Sequence, residues 1–446
     1  MGRSMKNGRR ARSVATLLTL VLVVAACGDD SGTGEATPTT TTTAAVDEPE
    51  TAVNDTVPPT DDEELTASHR GISADTITLG VAIADVTPFA AVGDIAGSYR
   101  ALAELQNEAG GIAGRQIELL VEEWLILDTT LFEEACIKLT EDEEVFAVLG
   151  FMPGGWGSQA CYADIHETIV INTESITQDD IDRSSDRLMT TAADAATLLR
   201  DGLALAAEEI DGKNVAIYAG MNTAPRIPEF RDAIEALGGI VVNESEQLIG
   251  GEDITAAEAE LDITVERWRD DGVEVLVSLD GSIAAALGAL ERADRTDMAV
   301  FYAGTVVETL TALGANPANF PNLLAVGPPV QTANYESGGA GVTECVDKVS
   351  AVKGKDVFVE GPDGLEDEIG ITQRVCAAWD VMMAGLGAAG VNPTETSFLE
   401  GAYALGSFDA TGFTSVELAP GRAFLGNVDP ALYSFDLDTG AFVPVE

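Results

Sequence analysis

Short apolar runs rich in β-branched residues alternate with longer helical stretches from Ile72 onward. In the longer stretches apolar residues recur at helical spacing, which predicts amphipathic helices. Alternating strands and helices form parallel sheets covered by helices on both faces. The predicted strands are Thr76–Ile83, Gln116–Glu122, Val145–Gly150, Ile169–Asn172, Val215–Ala219, Ile240–Glu244, Val273–Ser278, Ala299–Ala303 and Leu323–Val326. The predicted helices are Ile95–Ala109, Leu131–Thr140, Ser158–His166, Ala192–Glu209, Arg226–Leu237, Ile254–Asp271, Ile283–Ala293 and Thr305–Leu313.

The length of this α/β region predicts more than one core. Residues 72 to 446 form a segment that is too long for a single hydrophobic core. We therefore expect an α/β fold of two Rossmann-like lobes. The first crossing between them is expected near Thr190–Ala192, just after the segment Arg187-Leu-Met.

The first 27 residues carry the pattern of an export signal. Basic residues precede an apolar run, Val14–Ala26, that is shorter than the about 20 residues of a membrane-spanning helix. Small residues then lead to Cys27, and this order resembles a bacterial lipoprotein signal, in which the cysteine is lipidated and becomes the new N-terminus. We expect residues 1–26 to be removed and the protein to be lipid-anchored to the cell membrane, outside the cytoplasm. The alternative is an ordinary signal peptide followed by a coincidental cysteine.

Residues 27–71 have the composition of a disordered linker. Thr, Pro, Asp and Glu dominate, so the segment cannot bury enough apolar surface to offset the entropy of ordering. The prolines and like charges should extend it as a spacer between membrane and folded body. The run Thr39–Thr43 could carry O-linked sugar, although a bare spacer is the preferred interpretation.

The chain is strongly acidic, with 24 Lys and Arg against 75 Asp and Glu. Removing the five basic residues of the signal leaves 19 basic against 75 acidic residues, a net charge of −56. Such a charge repels phosphate backbones, so we expect no nucleic-acid partner. The acidic residues are spread along the whole chain, which favours a role in solubility.

Four cysteines remain in the expected exported protein: Cys136, Cys161, Cys345 and Cys376. They predict two disulfides, and three pairings are possible. We favour Cys136–Cys161 and Cys345–Cys376, because each pair is close in sequence. The chain has only two histidines, His69 in the linker and a second on a predicted helix, and it has no Cys-x-x-Cys, so no metal site is expected.

The loops that follow the predicted strands have the composition of a small-molecule site. In open α/β sheets, ligands bind beyond the carboxyl ends of the strands. The loops Asp85–Asp94 and Gly150–Ser158 are small, polar and Gly-rich, and the second contains Trp156. Equivalent loops follow the other strands at 172–175, 220–223, 279–282 and 304–305.

Motifs in the first predicted units resemble a known family. Strand Ile77–Ile83, then Thr87-Pro88 and Gly93-Asp94, lead to a helix that ends in NEAGGIAGR before the strand Gln116–Glu122. This order resembles type 1 periplasmic binding proteins, and within them the leucine/isoleucine/valine-binding branch of ABC importers. The resemblance continues through VFAVLGFMPGG, IVINTES, NVAIYAG, GVEVLVSLDGS and AVFYAG, and it is strongest over residues 72–330.

The resemblance implies two lobes joined by a three-segment hinge, with a ligand trapped when the hinge closes. The second and third crossings should fall near Pro328–Thr332 and Ser407–Gly412. Lobe 1 would then comprise residues 72–191 and about 331–408, and lobe 2 residues 192–330 and about 409–446. The implied function is capture of a small molecule, such as an amino acid or related amide or organic acid, for delivery to the permease of an ABC importer. The alternative is a ligand-sensing receptor subunit that signals to a membrane partner.

Strand-end position and the resemblance together select the ligand-binding candidates. In amino-acid-binding members an acid of the second lobe binds the ligand ammonium, and Asp280 and Glu308 are the candidates here. Gly154, Gly155 and Trp156 stand where those members offer hydroxyls, so the branched-chain ligand does not carry over. The predicted ligand-binding residues are Pro88, Phe89, Gly155, Trp156, Ser175, Asn222, Asp280 and Thr305.

The sequence offers no catalytic constellation. No Ser/His/Asp arrangement stands out, His166 is expected on a helix facing solvent, and no Gly-x-x-x-x-Gly-Lys phosphate loop occurs. We therefore expect no enzyme and no cofactor. The partners expected are the small-molecule ligand, the permease and, through the lipid on Cys27, the membrane.

Overall fold

The computed structural model describes residues 64–86, 93–125, 129–152, 160–174, 176, 178–192, 195–220, 223–247, 254–279, 283–304, 310–311, 315–327, 335, 341–355, 357, 368–421 and 429–445. All of them belong to the compact unit Pro58–Glu446. The predicted signal, Cys27 and linker residues 27–63 lie outside this description. Among the described residues, no helix is both long enough and apolar enough to cross a bilayer.

The first sheet has five parallel strands in the order β2-β1-β3-β4-β5. Val, Ile and Leu fill its central strands, which are buried on both faces as in other parallel sheets covered by helices. The chain runs from β1 to β2 at one side and then returns to place β3 at the other side of β1. The strands are β1 (Thr76–Asp85), β2 (Gln116–Leu125), β3 (Ala147–Phe151), β4 (Ile169–Asn172) and β5 (Leu188–Thr190).

Helix α1 (Ile95–Glu108) shows how local sequence sets the helix ends in this lobe. The Asp94 carboxylate accepts a hydrogen bond of 2.8 Å from the Gly97 N–H, which caps the first turn. Gly111, just beyond the end, has φ +75°, and a Cβ there would lie 1.8 Å from the Arg115 carbonyl oxygen, so only glycine fits. Two more helices of this part are α2 (Thr129–Ile137) and α3 (Gln178–Arg183), with π-helical turns at Lys138–Asp142 and Cys161–Ile165.

The second sheet has seven strands in the order β14-β13-β10-β9-β8-β6-β7. Strands β6 to β10 are parallel to one another. Strands β13 and β14 add an antiparallel hairpin at one edge, so this sheet is mixed rather than purely parallel. Buried clusters on its two faces centre on Trp268 and Phe230. The strands are β6 (Asn214–Ala219), β7 (Ile240–Glu246), β8 (Val275–Ser278), β9 (Ala299–Ala303), β10 (Leu323–Gly327), β13 (Ala431–Asp436) and β14 (Ala441–Pro444). The helices are α4 (Ala195–Gly202), α5 (Ala207–Ile210), α6 (Ile227–Ala236), α7 (Ile254–Asp270) and α8 (Ile283–Arg292).

After β10 the chain returns to the first sheet. Val349, Val375 and Phe398 pack in the core of that sheet. So do Ala410 and Val416 of the hairpin that follows. The elements are α9 (Val342–Lys353), α10 (Glu368–Ala388), α11 (Glu395–Ala404), β11 (Ser407–Ala410) and β12 (Phe413–Glu417).

This packing moves one predicted crossing. The third crossing is predicted at Ser407–Gly412, but the β11–β12 hairpin and Leu418 after it still pack on the first core. The chain joins the second sheet only at β13. The hairpin buries its apolar face against α10, which short strand patterns in the sequence do not reveal.

The end of the predicted linker is ordered, contrary to the prediction of disorder through residue 71. The Arg70 guanidinium donates hydrogen bonds to the carbonyl oxygens of His166 (3.1 Å) and Glu167 (2.7 Å). The Thr66 N–H donates to Asn392 Oδ1 at 2.9 Å. This polar segment gains order from hydrogen bonds rather than from an apolar core, so composition alone misassigns it.

Both favoured disulfides are present. Cys136 bonds Cys161, and Cys345 bonds Cys376, each with Cα atoms 6.4 Å apart. His166 is near the first bond, but its side chain is only 17 % exposed and Nδ1 lies 3.5 Å from Glu141 Oε1, so the expectation that it faces solvent is wrong. Of the described residues, the two bonded cysteines and this histidine form a metal-like cluster, yet disulfide sulfurs are not the thiolates that metals bind.

Removing the Cys136–Cys161 disulfide with a double alanine variant is expected to lower the free energy of unfolding by about 3 kcal/mol. The bond closes a loop with a sequence separation of 25 residues, and opening it restores entropy to the unfolded chain. Urea unfolding of the variant and of the wild type with and without reductant measures the difference. Equal stability of the two oxidised proteins would contradict the expectation.

Candidate functional site

All eight predicted ligand-binding residues lie outside the described residues, but the strands that precede them are described. Each candidate follows the end of a strand by at most five residues. Trp156 is the farthest, after β3, and Asp280 and Thr305 are the nearest, two residues after β8 and β9. In the sequence, the candidates therefore follow the carboxyl ends of strands from both sheets.

Six of the eight candidates follow strands at the switch points of the sheets. In the first sheet the strand order reverses between β1 and β3, and in the second between β6 and β8. At such a point the helices on either side leave in opposite directions, and the crevice between them is where ligands bind in open α/β sheets. The six residues are Pro88 and Phe89 after β1, Gly155 and Trp156 after β3, Asn222 after β6, and Asp280 after β8.

Asn172 joins the ends of two strands at this edge. Its side chain is fully buried, and its Oδ1 accepts a hydrogen bond of 2.9 Å from the Met152 N–H. Its Nδ2 donates to the carbonyl oxygens of Met152 (2.8 Å) and Glu174 (3.2 Å). The Asn172 side-chain amide thus holds Met152, which precedes the loop with Gly155, and Glu174, which precedes Ser175.

A second set of hydrogen bonds joins β4 to β5, where the chain leaves for the second sheet. The Thr190 Oγ1 donates to the Glu174 carbonyl oxygen at 2.6 Å and accepts from the Ala192 N–H at 3.1 Å. The Thr191 N–H donates to the Asn172 carbonyl oxygen at 2.9 Å. These bonds fix the start of the first crossing relative to the strand ends.

Replacing Asn172 with leucine is expected to lower the free energy of unfolding by about 2 kcal/mol, because the Met152 N–H and two carbonyl groups lose their buried partner. Asn172→Asp keeps an acceptor for the Met152 N–H but points its second carboxyl oxygen at the two carbonyl groups, so at pH 7 it should be no more stable than the leucine variant. Chemical denaturation of the wild type and both variants measures the losses. A loss below about 0.5 kcal/mol in the leucine variant would contradict the expectation.

An ion pair that the sequence pattern does not predict also lies at this edge. Arg374 Nη1 of α10 donates to Glu174 Oε1, with side-chain exposures of 33 % and 20 %. Burial raises the pKa of the Glu174 carboxyl, and the guanidinium opposes that rise. The two residues are 200 positions apart, so no local pattern links them.

A buried charge cluster holds the far end of the loop that follows β1. Glu368, at the start of α10, accepts hydrogen bonds of 2.6 Å from the ammonium groups of Lys353 and Lys355 and one of 3.2 Å from the Asp94 N–H. The Lys353 side chain is 7 % exposed and that of Glu368 4 %. The cluster thus fixes Asp94, the residue that caps the start of α1. In the sequence, Asp94 comes shortly after Pro88.

One surface groove of the described residues, of about 540 Å³, lies away from this edge. It is lined by Arg100, Glu104 and Asn107 of α1 and by Gln116 at the amino end of β2. It is therefore not the predicted ligand site.

Comparisons with known proteins agree with the fold described above. No protein of curated function matches the chain in sequence. Among solved structures, an ABC transporter substrate-binding protein from Desulfitobacterium hafniense in complex with Leu is 15 % identical, with a TM-score of 0.58, over 83 % of this chain and 100 % of that one. A periplasmic binding protein type 1 from Bordetella pertussis is 14 % identical, with a TM-score of 0.61, over 83 % and 100 %.

A fatty acid ABC transporter substrate-binding protein from Thermomonospora curvata is 15 % identical, with a TM-score of 0.58, over 85 % of this chain and 94 % of that one. These three structures share the fold of two α/β lobes with parallel sheets. The family model described as periplasmic binding protein matches residues 76–426, which include both sheets as far as β10, the helices between them and the β11–β12 hairpin. The chain belongs to the periplasmic binding protein family, and its fold is that of type 1.

Proposed function

We propose that this protein is an extracytoplasmic solute-binding lipoprotein that captures a small molecule between its two lobes and delivers it to an ABC importer. The single observation that carries the proposal is the position of the candidates, six of which follow strands at the switch points of the two sheets. The family match over residues 76–426 supports the same function.

Capture needs two lobes that close on the ligand. The chain passes between the sheets after β5, after β10 and again before β13, which supports a three-segment hinge. Ligand contacts on both lobes would favour the closed form, and a permease that recognises this form would receive only loaded protein. The lobes are then residues 72–191 with 342–418, and residues 192–327 with 429–445.

The ligand is an amino acid or a related amide or organic acid. Of the solved structures with this fold, one is a substrate-binding protein in complex with Leu and another is a fatty acid ABC transporter substrate-binding protein. Both ligands combine a carboxylate with an apolar chain. In this protein the N–H groups near Gly155 would donate hydrogen bonds to the carboxylate, and Ser175 would add a hydroxyl. Trp156 would contact the apolar part, and Asp280 would bind an ammonium group.

The protein is tethered by lipid on Cys27, with residues 28–63 as spacer. The family implies a location outside the cytoplasm. Globomycin-sensitive processing and the mass of a diacylated N-terminal peptide test the anchor. A soluble, unmodified mature protein would overturn this part of the proposal and leave capture intact.

A thermal-shift screen tests capture. The protein should begin at residue 27 with Cys27→Ser, because residues 64–71 pack on the body and a start at residue 72 would remove their hydrogen bonds. Amino acids, amides, polyols, aromatic acids and fatty acids form the panel. A ligand at 100-fold over its dissociation constant adds about 2.7 kcal/mol, which raises the midpoint by several degrees. A flat response to all five classes would count against capture.

Asp280→Asn is expected to weaken binding of an amine-bearing ligand about 30-fold, because an amide cannot replace the charge that pairs with the ammonium group. Titration calorimetry with the amine ligand from the screen measures the change. Glu308→Gln is the matched control, since it removes the other candidate acid of that lobe. An unchanged affinity in Asp280→Asn shows that this acid does not contact the ligand.

A further inference from the structure

Glu174 and Arg374 form an ion pair directly beside the proposed site. Glu174 is two residues beyond the end of β4 and immediately precedes Ser175. Arg374 lies on α10, whose first residue, Glu368, belongs to the charge cluster that fixes the start of α1. Helix, strand end and loop therefore meet at the carboxyl edge of the first sheet.

The Arg374 guanidinium has more hydrogen-bond donors than its contact with Glu174 uses. An arginine side chain carries five N–H donors in a planar fork that matches a carboxylate in two parallel hydrogen bonds. The contact with Glu174 Oε1 uses Nη1. About a third of the Arg374 side chain is exposed, so an anion in the crevice could reach the remaining donors.

Buried hydroxyl groups at the same edge lack partners among the described residues. Thr173 and Thr191, which adjoin Asn172 and Thr190, have buried Oγ1 atoms without a hydrogen bond. The hydroxyl of Tyr99, on α1 and fully buried, also has none. Burial raises the pKa of that hydroxyl, and the Arg374 guanidinium opposes the rise. Buried polar groups normally have partners, and an edge with three lacking them suits a polar ligand and its water.

We infer that Arg374 binds the carboxylate of the ligand and that Glu174 is the counter-ion that pairs with it when the ligand is absent. The inference rests on the proposed capture function and narrows its ligand to compounds with a carboxylate at the end that enters lobe 1. It adds Arg374, which strand-end position does not select because it lies on a helix, and Glu174, which lies in the loop 172–175 but was not among the predicted ligand-binding residues. The net charge of −51 repels anions at long range, so an acidic ligand needs a cation inside the site.

Two carboxylates that share one guanidinium compete for it. Neutralising Glu174 should therefore tighten the binding of acids, whereas a purely structural ion pair would only weaken the protein when broken. This opposite direction separates the two roles. Arg374→Gln alone would leave Glu174 partly buried without a partner and could fail to fold, so it is made only together with Glu174→Gln.

The experiment compares Glu174→Gln with the double variant Glu174→Gln/Arg374→Gln, which differ only in the guanidinium. The probes are L-leucine and octanoate, each paired with the amide that lacks the carboxylate, leucinamide and octanamide. Calorimetric and thermal-shift titrations should show an acid bound about tenfold more tightly by Glu174→Gln than by the wild type. The double variant should bind that acid about 50-fold more weakly than Glu174→Gln. The affinity for each amide should be the same in the wild type and in both variants.

The pair Arg187–Glu395 provides the matched control. Its Nε–Oε1 distance is 2.7 Å and its side chains are 17 % and 22 % exposed, but Arg187 precedes β5 and so lies at the amino edge of the sheet. Glu395→Gln should leave the affinity for each acid unchanged.

The outcomes separate this inference from the proposed function. Two results would overturn the role of Arg374 and leave capture standing. In the first, the double variant binds an acid as tightly as the wild type does. In the second, the wild type responds to compounds of the screening panel that lack a carboxylate and to no acid. A wild type that responds to no compound at all counts against capture, and the inference falls with it. An acid that Glu174→Gln binds more tightly than the wild type, and that the double variant binds more weakly than Glu174→Gln, supports both this inference and capture.

Discussion

Replacing Arg115 with methionine is expected to lower the free energy of unfolding by about 5 kcal/mol, the largest effect of any substitution considered for this protein. Arg115 is fully buried, and its guanidinium donates to four acceptors. They are the carbonyl oxygens of Ser73 (2.6 Å), Thr66 (3.0 Å) and Val391, and Asn392 Oδ1 at 2.9 Å. Methionine fills much of the volume but leaves all four acceptors without this donor.

Urea unfolding followed by circular dichroism measures the effect. Arg115→Lys should recover only part of the loss, because one ammonium group cannot reach the same four acceptors. Arg100→Met, on the exposed face of α1, is the control and should leave stability nearly unchanged. A loss below about 1 kcal/mol in the methionine variant would mean that water or a shifted backbone replaces the guanidinium. Because Arg115 also holds Thr66, protease cleavage at 64–71 should accelerate in the same variant.

Replacing Glu368 with leucine is expected to lower the free energy of unfolding by about 4 kcal/mol, because it leaves the buried Lys353 ammonium without its main counter-ion. Asp94 Oδ2 stays 3.4 Å away and compensates only in part. The double variant Glu368→Leu/Lys353→Met removes both buried charges and should be clearly more stable than the single variant. Equal instability of the two variants would show that packing, rather than the charge, causes the loss.

The same carboxylate predicts a pH dependence. Burial alone would raise the pKa of Glu368, but the two lysine ammonium groups outweigh it and hold the pKa below its ordinary value of 4.5. A carboxyl group with a depressed folded-state pKa stabilises the protein above its unfolded pKa and loses this contribution as the pH falls through the folded value. The stability difference between wild type and Glu368→Leu should therefore be constant above about pH 5 and shrink below 4.5. Unfolding curves from pH 3 to 7 would reveal any other dependence.

Local pattern was sufficient for the strands that form the parallel parts of the two sheets, with the exception of β5. All nine predicted strands are present, and Ile169–Asn172 and Ala299–Ala303 have the predicted bounds. Their β-branched runs are bounded by small and polar residues, so the signal is local. Strand β5, which has three residues, was not predicted, because three residues cannot establish a period.

Helix α10 shows where local pattern fails. Most of its residues are buried, including Thr372 and Gln373, so its apolar residues form no single stripe. The helical period therefore carries little signal in this segment. The hairpin β11–β12 was missed for the related reason that its packing against α10 is a long-range contact.

Residue pattern alone predicted parallel α/β sheets with polar loops after the strands, and it favoured the two disulfides that are present without excluding the other pairings. These properties depend on residues close together in the chain, where backbone periodicity and loop length decide the outcome. Three features became evident only in the folded molecule: residues 64–71 pack on the body, the β11–β12 hairpin stays with the first core, and Arg374 pairs with Glu174. Each of these depends on polar or apolar contacts between segments that fold topology brings together, and no period in the sequence encodes such a contact.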